Sequence, residues 1–183
     1  MNIVWAITLI AINSFVLITC IIAFKNRRIN RSLNKAKKTR ERGDKSKTMA
    51  YIDKALKIVP EDVYALTNKA VVLHDMGSYN EAIDYYHKAL ILARNSDMLA
   101  TINYHLGILY CNMENYEESR KCFNNAMSDE NVRNEEFWNN LGILQYKTND
   151  KNAALRSFEK ALSINPKATF IIENKKNLLA ELD

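Results

Sequence analysis

The side chains of this 183-residue chain most suited to metal or acid–base chemistry are His74, His105 and Cys111, with a third histidine, His87, beside Tyr86. Two imidazoles and a thiolate are a plausible zinc donor set. A dedicated site usually betrays itself by close pairs such as His-x-x-x-His or Cys-x-x-Cys. No such pair occurs here. The sequence also lacks a phosphate-cradling glycine loop, a Gly-x-Ser-x-Gly elbow and a paired-carboxylate pocket. Cys20, Cys111 and Cys122 are odd in number and widely spaced, so they give no disulfide framework. The expectation is a protein that is not an enzyme, with no catalytic, cofactor-binding or metal residue and no small-molecule substrate. A metal-binding or enzyme-associated subunit built on His74, His105 and Cys111 stays as an alternative.

If side-chain chemistry is not the point, the elements that carry these residues must be. Only 4 Gly and 2 Pro punctuate the chain, which predicts long helices rather than a turn-rich β fold. The run from Ile3 to Phe24 carries no charge. As a helix such a run would extend about 33 Å. That is enough for a hydrocarbon core of roughly 30 Å. Trp5 and Phe24 stand near its two ends, where aromatic rings favour the membrane interface. Asn13 and Ser14 fall mid-span and could bond a neighbouring helix or simply their own. A secretory signal would need basic residues before the apolar run and a small-residue cleavage site after it. Here only Met1 and Asn2 precede the run, and the bases follow it. Residues 1–24 are therefore expected to be a retained transmembrane anchor.

Residues 25–47 hold eleven of the 26 Lys and Arg and two of the 21 acids, which leaves 15 bases and 19 acids, a balance of −4, for residues 48–183. The overall +5 thus belongs to one short collar, and the body is no nucleic-acid binder by charge. A basic collar resists translocation, so the expected topology is a single-pass membrane protein with its N-terminus out and its body in the cytosol. The same charges would attract anionic headgroups, making membrane lipid a partner through anchor and collar.

Three stretches of the body align. Ala82, Ser119 and Ala154 are equivalent small residues, 37 and 35 positions apart, and Tyr86, Phe123 and Phe158 follow each by four. Ala89, Ala126 and Ala161 come next in register. A fainter copy comes first, in which Gly43, Ile52, Ala55 and Pro60 precede Gly77, Tyr86, Ala89 and Arg94 by one constant interval. Each copy reads as two amphipathic helices, with Gly43 and Gly77 in turns and Pro60 and Pro166 after second helices.

Trp138, Leu141-Gly142, Ala154, Phe158, Ala161 and Pro166 in the last copy resemble the tetratricopeptide repeat. The unit of that family is a helix-turn-helix of about 34 residues. Departures are Lys69-Ala70 for the usual Leu-Gly, and Ser119 for alanine. The resemblance implies an all-α protein: a right-handed α-solenoid of helical hairpins with an N-terminal transmembrane helix and a C-terminal capping helix. The expected divisions are 1–24 for the anchor and 25–47 for the basic segment, including the first helix of a degenerate repeat. Repeats then occupy 48–166, as 48–60, 62–95, 99–131 and 134–166, with the cap at 167–183.

In such a fold the first helices line a concave groove. By the alignment it would hold Tyr64, Thr67, Asn68, Val71 and His74 from one unit and Thr101, Tyr104, His105 and Ile108 from the next, with Cys111 beyond them. The last unit would add Glu136, Asn139, Asn140, Ile143 and Tyr146. Amide, hydroxyl and aromatic groups suit an extended peptide. Chaperone-binding members of the family hold a chain-terminal carboxylate with Lys, Arg and Asn. At these positions Thr101, His105, Glu136 and Asn139 stand where more positive charge would be wanted. The function expected is a non-catalytic, membrane-anchored scaffold or adaptor that binds a partner protein or peptide at the cytosolic face. An alternative with the same layout is a receptor for protein import at the mitochondrial outer membrane.

Overall fold

A computed structural model describes residues 3–182. Met1 and Asn2, before the apolar run, and Asp183, at the end of the capping segment, lie outside the described residues. Those described form helices joined by short turns, with no strand among them. In chain order the helices are α1 (Ile3–Glu41), α2 (Lys45–Leu56), α3 (Val63–Asp75), α4 (Tyr79–Leu92) and α5 (Ser96–Asn112). The rest are α6 (Tyr116–Ala126), α7 (Glu135–Lys147), α8 (Lys151–Ile164) and α9 (Thr169–Leu179). Each odd helix up to α7 packs chiefly on the even helix after it, and α9 lies on α8. Successive hairpins meet through α2 and α3, α4 and α5, and α6 and α7, while α3, α5 and α7 also touch in sequence. The result is a solenoid of four helical hairpins and a terminal helix.

One turn design recurs in all four hairpins. The backbone turns left-handed at Gly43 (φ 73°), Gly77 (φ 81°), Glu114 (φ 60°) and Asn149 (φ 62°), in the register of the repeat. The following N–H reaches back to close the first helix: Asp44 to the Thr39 carbonyl, Ser78 to Leu73, Asn115 to Tyr110 and Asp150 to Gln145. This six-residue closure satisfies carbonyls that a helix end leaves open. The residue that closes one helix also begins the next. The side chains of Asp44, Asn115 and Asp150 accept bonds from the N–H groups of Lys47, Glu118 and Ala153. Asp62, Asn95 and Asn134 cap α3, α5 and α7 in the same way.

The wider spacing between the second and third turns has a simple cause. α5 has 17 residues where α3 and α7 have 13, so extra residues near Asn95 lengthen the helix instead of opening a loop. Ser119, which stands where the family prefers alanine, is fully buried and donates 2.7 Å to the Gly107 carbonyl across its own hairpin.

α1 has two stretches of different burial in one unbroken helix. From Ile10 to Phe24 every side chain is exposed. Beyond it Ile29, Ser32 and Ala36 are buried against α2, with the Ser32 hydroxyl donating to the Tyr51 carbonyl at 2.8 Å.

Glu114 holds a left-handed backbone that costs a residue with a Cβ about 1 kcal/mol or more. Glu114→Gly is therefore expected to stabilise the fold by about 0.5–1 kcal/mol, part of the relief being offset by a freer unfolded chain. Urea unfolding in detergent checks this, with Gly77→Ala moving the midpoint the opposite way. A lower midpoint for Glu114→Gly would contradict the assignment.

Candidate protein-binding groove

The solenoid's inner face is made by α1, α3, α5 and α7, and its side chains differ in depth. Tyr64, Thr101, Glu136 and Tyr146 are exposed, and Thr67, Asn68, His74, His105, Ile108, Asn140 and Ile143 are half-buried. Val71, Tyr104 and Asn139 are buried. The Asn140 amide donates 2.8 Å to the Tyr104 hydroxyl, linking α7 to α5. One repeat on, the Asn174 amide donates 2.9 Å to Asn139, linking α9 to α7. Asn139 therefore contributes to the stacking of the cap and is not open to a ligand. Tyr104 is likewise a wall: its ring packs 5.8 Å from that of Phe137 and 6.2 Å from that of Phe123. Burial pushes its phenol up to about 12, eased by the Asn140 bond. Tyr146 bonds Glu181 beyond α9, and a cavity of about 700 Å³ lined by Ile143, Tyr146 and Asn174 lies at that end.

The wider opening lies at the other end. A cavity of about 780 Å³ is walled by α1, α2 and α3, and a second of about 190 Å³ continues it between α3 and α5. Asn30, Asn34, Lys37 and Arg40 of α1 face Tyr64 and Asn68 of α3 across the first. Leu33, Ala36, Ile52 and Val72 supply its apolar surface. Arg40 reaches the second cavity too, beside Thr67, Thr101 and His105.

By sequence those α1 residues read as the basic segment and the first helix of a degenerate repeat, not as groove residues, yet the register points to them. One repeat before Tyr64, Asn68, Val71 and His74 stand Asn30, Asn34, Lys37 and Arg40. The positive charge that the middle units lack is thus supplied at the first. Glu41 and Asp97 are the acids in these linings.

His74, His105 and Cys111 do not assemble a metal site. Among the described residues no group of three or more His, Cys, Asp or Glu is placed to hold an ion. The Asn112 amide approaches His74 Nε2 at 2.8 Å, and Cys111 is buried in the core around Phe123. His105 stacks on Tyr86 with ring centroids 6.2 Å apart and planes 10° from parallel, and its ring centroid is 5.2 Å from that of Tyr104.

This enclosure has a pH consequence. Burial pushes the His105 imidazole down to about 4, and the positive charges of Arg40 and His74 act in the same direction. An unfolded histidine titrates near 6.5, so between those values the unfolded chain binds a proton that the folded chain refuses. Stability is therefore lost as pH falls through that window. The expected loss from this residue is about 2 kcal/mol between pH 7 and 5. Urea unfolding of the wild type and His105→Gln at the two pH values checks it; equal losses in both proteins would contradict the assignment.

The sequence profile of the tetratricopeptide repeat matches residues 98–167 and, separately, residues 63–96, together more than half of the chain. No curated protein matches the sequence. Among solved structures, one described as a functional characterization of Pseudomonas aeruginosa pilF is similar with a TM-score of 0.75 and 22% identity, over 86% of this chain and 70% of that one. MamA from Desulfovibrio magneticus RS-1 is similar with a TM-score of 0.67 and 15% identity, over 85% and 86%. PilW, described as a widely conserved type IV pilus biogenesis factor, gives 0.68 and 22%, over 76% and 63%. At these identities the structures share a fold. On the repeat profile and the four hairpins in one register, the chain belongs to the tetratricopeptide repeat family.

Proposed function

We propose that the protein is a non-catalytic, membrane-anchored scaffold that holds an extended segment of a partner protein in the groove along α1, α3, α5 and α7. The observation that carries this reading is the in-register row of Asn, Thr, Tyr and His side chains on those inner faces, open around Tyr64 and Asn68. An extended peptide needs donors and acceptors for its backbone and shallow apolar places for its side chains, and this surface offers both. PilW, described as a type IV pilus biogenesis factor, shares this fold.

Anchoring is supported by α1. It is one helix long and apolar enough to cross a membrane, by length and composition. Trp5, Phe15, Leu17, Ile18, Ile22 and Phe24 are each more than half exposed, a contiguous apolar surface far larger than soluble domains leave in water. With the bases of residues 25–47 held on the side of entry, the repeats face the cytosol. Tethering would raise the local concentration of a partner, so micromolar affinity suffices.

The test is affinity capture with the full chain in detergent, run beside a Tyr64→Ala, Lys37→Ala double variant. Both side chains are exposed, so the fold is expected to survive, whereas substituting Tyr104 would damage the core. A defined protein held by the parent and at least about tenfold weaker on the variant is the expected result, in line with loss of an interface aromatic and a charge. The same proteins at the same strength on both would move the working surface away from the groove.

A further inference from the structure

We propose that the cleft between the end of the apolar run in α1 and the last turn of α2 is a binding site for an anionic phospholipid. This deepens the membrane reading above and rests on it. The cleft, about 860 Å³ in volume, has an apolar floor of Ile21, Phe24 and Ile58. Beside it stand four cations, Lys25 and Arg28 from α1, Lys54 from the last turn of α2 and Lys57 just after it, and no acid lines the site. Lys54 and Lys57 lie outside the basic segment in sequence; the first hairpin folds them back onto it.

None of these four cations has a carboxylate partner among the described residues, whereas Lys47 and Lys69 are paired with Asp44 and Asp53. Asp53, the acid beside Lys54 in sequence, is held by Lys69 at 2.7 Å. Arg28 is positioned by its neighbour: its guanidinium lies over the Phe24 ring, 5.6 Å from the centroid. Four unpaired cations beside an apolar surface match a ligand that has both a phosphate and a chain.

Depth gives the identity of that ligand. Phe24 is the last residue of the uncharged run and Lys25 the first charge in the chain. With α1 spanning, the cleft sits where hydrocarbon gives way to headgroups. A phosphodiester would take the forked donors of Arg28 and the point charges of the lysines, while the first part of an acyl chain covers Ile21 and Phe24. A phosphatidylcholine would bring a trimethylammonium group among four cations, so the site selects lipids with net negative charge. Occupation would pin α2 to the bilayer surface and fix how the groove is presented.

The experiment uses the full chain in phosphatidylcholine bilayers, with spin-labelled phosphatidylglycerol or spin-labelled phosphatidylcholine added as probe. Electron paramagnetic resonance reads the motionally restricted fraction of each. The expected result is a restricted phosphatidylcholine fraction from α1 itself and a larger phosphatidylglycerol fraction. That preference should drop at least about threefold in Lys54→Gln, Lys57→Gln and stay near the parent value in Arg31→Gln, Lys38→Gln, which removes equal charge from outside the cleft. Equal drops in both double variants would mean diffuse attraction to the collar and would overturn the site. So would absence of any preference, or displacement of the lipid by millimolar glycerophosphate or by a soluble acidic peptide such as hexaglutamate. If even phosphatidylcholine shows no restricted fraction, α1 is not in the bilayer and the anchor fails together with the site.

Discussion

Everything else in the solenoid depends on how closely the two helices of a hairpin approach. At the crossing, a small residue on the first helix meets a bulky one on the second. Gly142 lies against the Phe158 ring and Gly107 against the Phe123 ring, where an added Cβ would come within 2.6 Å and 3.0 Å of ring carbons. Ala70 and Tyr86 share one core, and Ala36 and Ile52 share another, with both members of each pair buried. The small residues, their bulky partners and the left-handed turn residues all repeat in the same register. Because the crossing fixes each hairpin's shape, stacking those hairpins places the inner residues in one row. A groove is the geometric consequence; its exposed side chains, such as Tyr64, Thr101 and Glu136, are free to vary, whereas Val71, Tyr104 and Asn139 are held by the packing.

The second constraint is that α1 belongs to the solenoid and to the apolar segment at once. No loop separates Phe24 from Ile29, Ser32 and Ala36, so the repeats are not swung on a flexible tether. A helix rising about 1.5 Å per residue puts the opening of the groove, at Asn30 to Arg40, roughly 10–25 Å beyond the last apolar residue. A partner bound there would be held close to the bilayer surface. The bases of this segment accordingly divide by face. Lys37 and Arg40 enter the groove, Lys25 and Arg28 enter the cleft against α2, and Lys35 lies over the Tyr51 ring, 5.5 Å from its centroid.

Much of this was legible in the residues. The joint placement of Ala82, Phe123, Gly142, Ala161 and Pro166 announced the hairpins, because packing at a crossing tolerates few residue types. The left-handed turns at Glu114 and Asn149 were not legible, since neither is the glycine that such a backbone normally demands. Depth was the other hidden quantity. Periodicity tells which way Tyr104 and Asn139 point, and only the stacking of α7 and α9 shows them to be covered. Charge concealed the rest: eleven bases in residues 25–47 read as a collar, although the same register that found Tyr64 and Asn68 reached Asn34 and Lys37. Lys54 and Lys57 carried no local signal, because only the first hairpin brings them to Phe24.

If α1 is at once a membrane span and the first wall of the groove, the protein's own cysteines report it directly. Cys111 and Cys122 are 4% and 8% exposed in the core, whereas Cys20 is exposed on the apolar part of α1. The full chain, reconstituted in phosphatidylcholine vesicles, would be treated with a membrane-impermeant maleimide and weighed by mass spectrometry. No label is expected until the protein is unfolded in sodium dodecyl sulfate, when all three thiols react. A single label on Cys20 in intact vesicles would place that face of α1 in water and show that α1 does not span the bilayer.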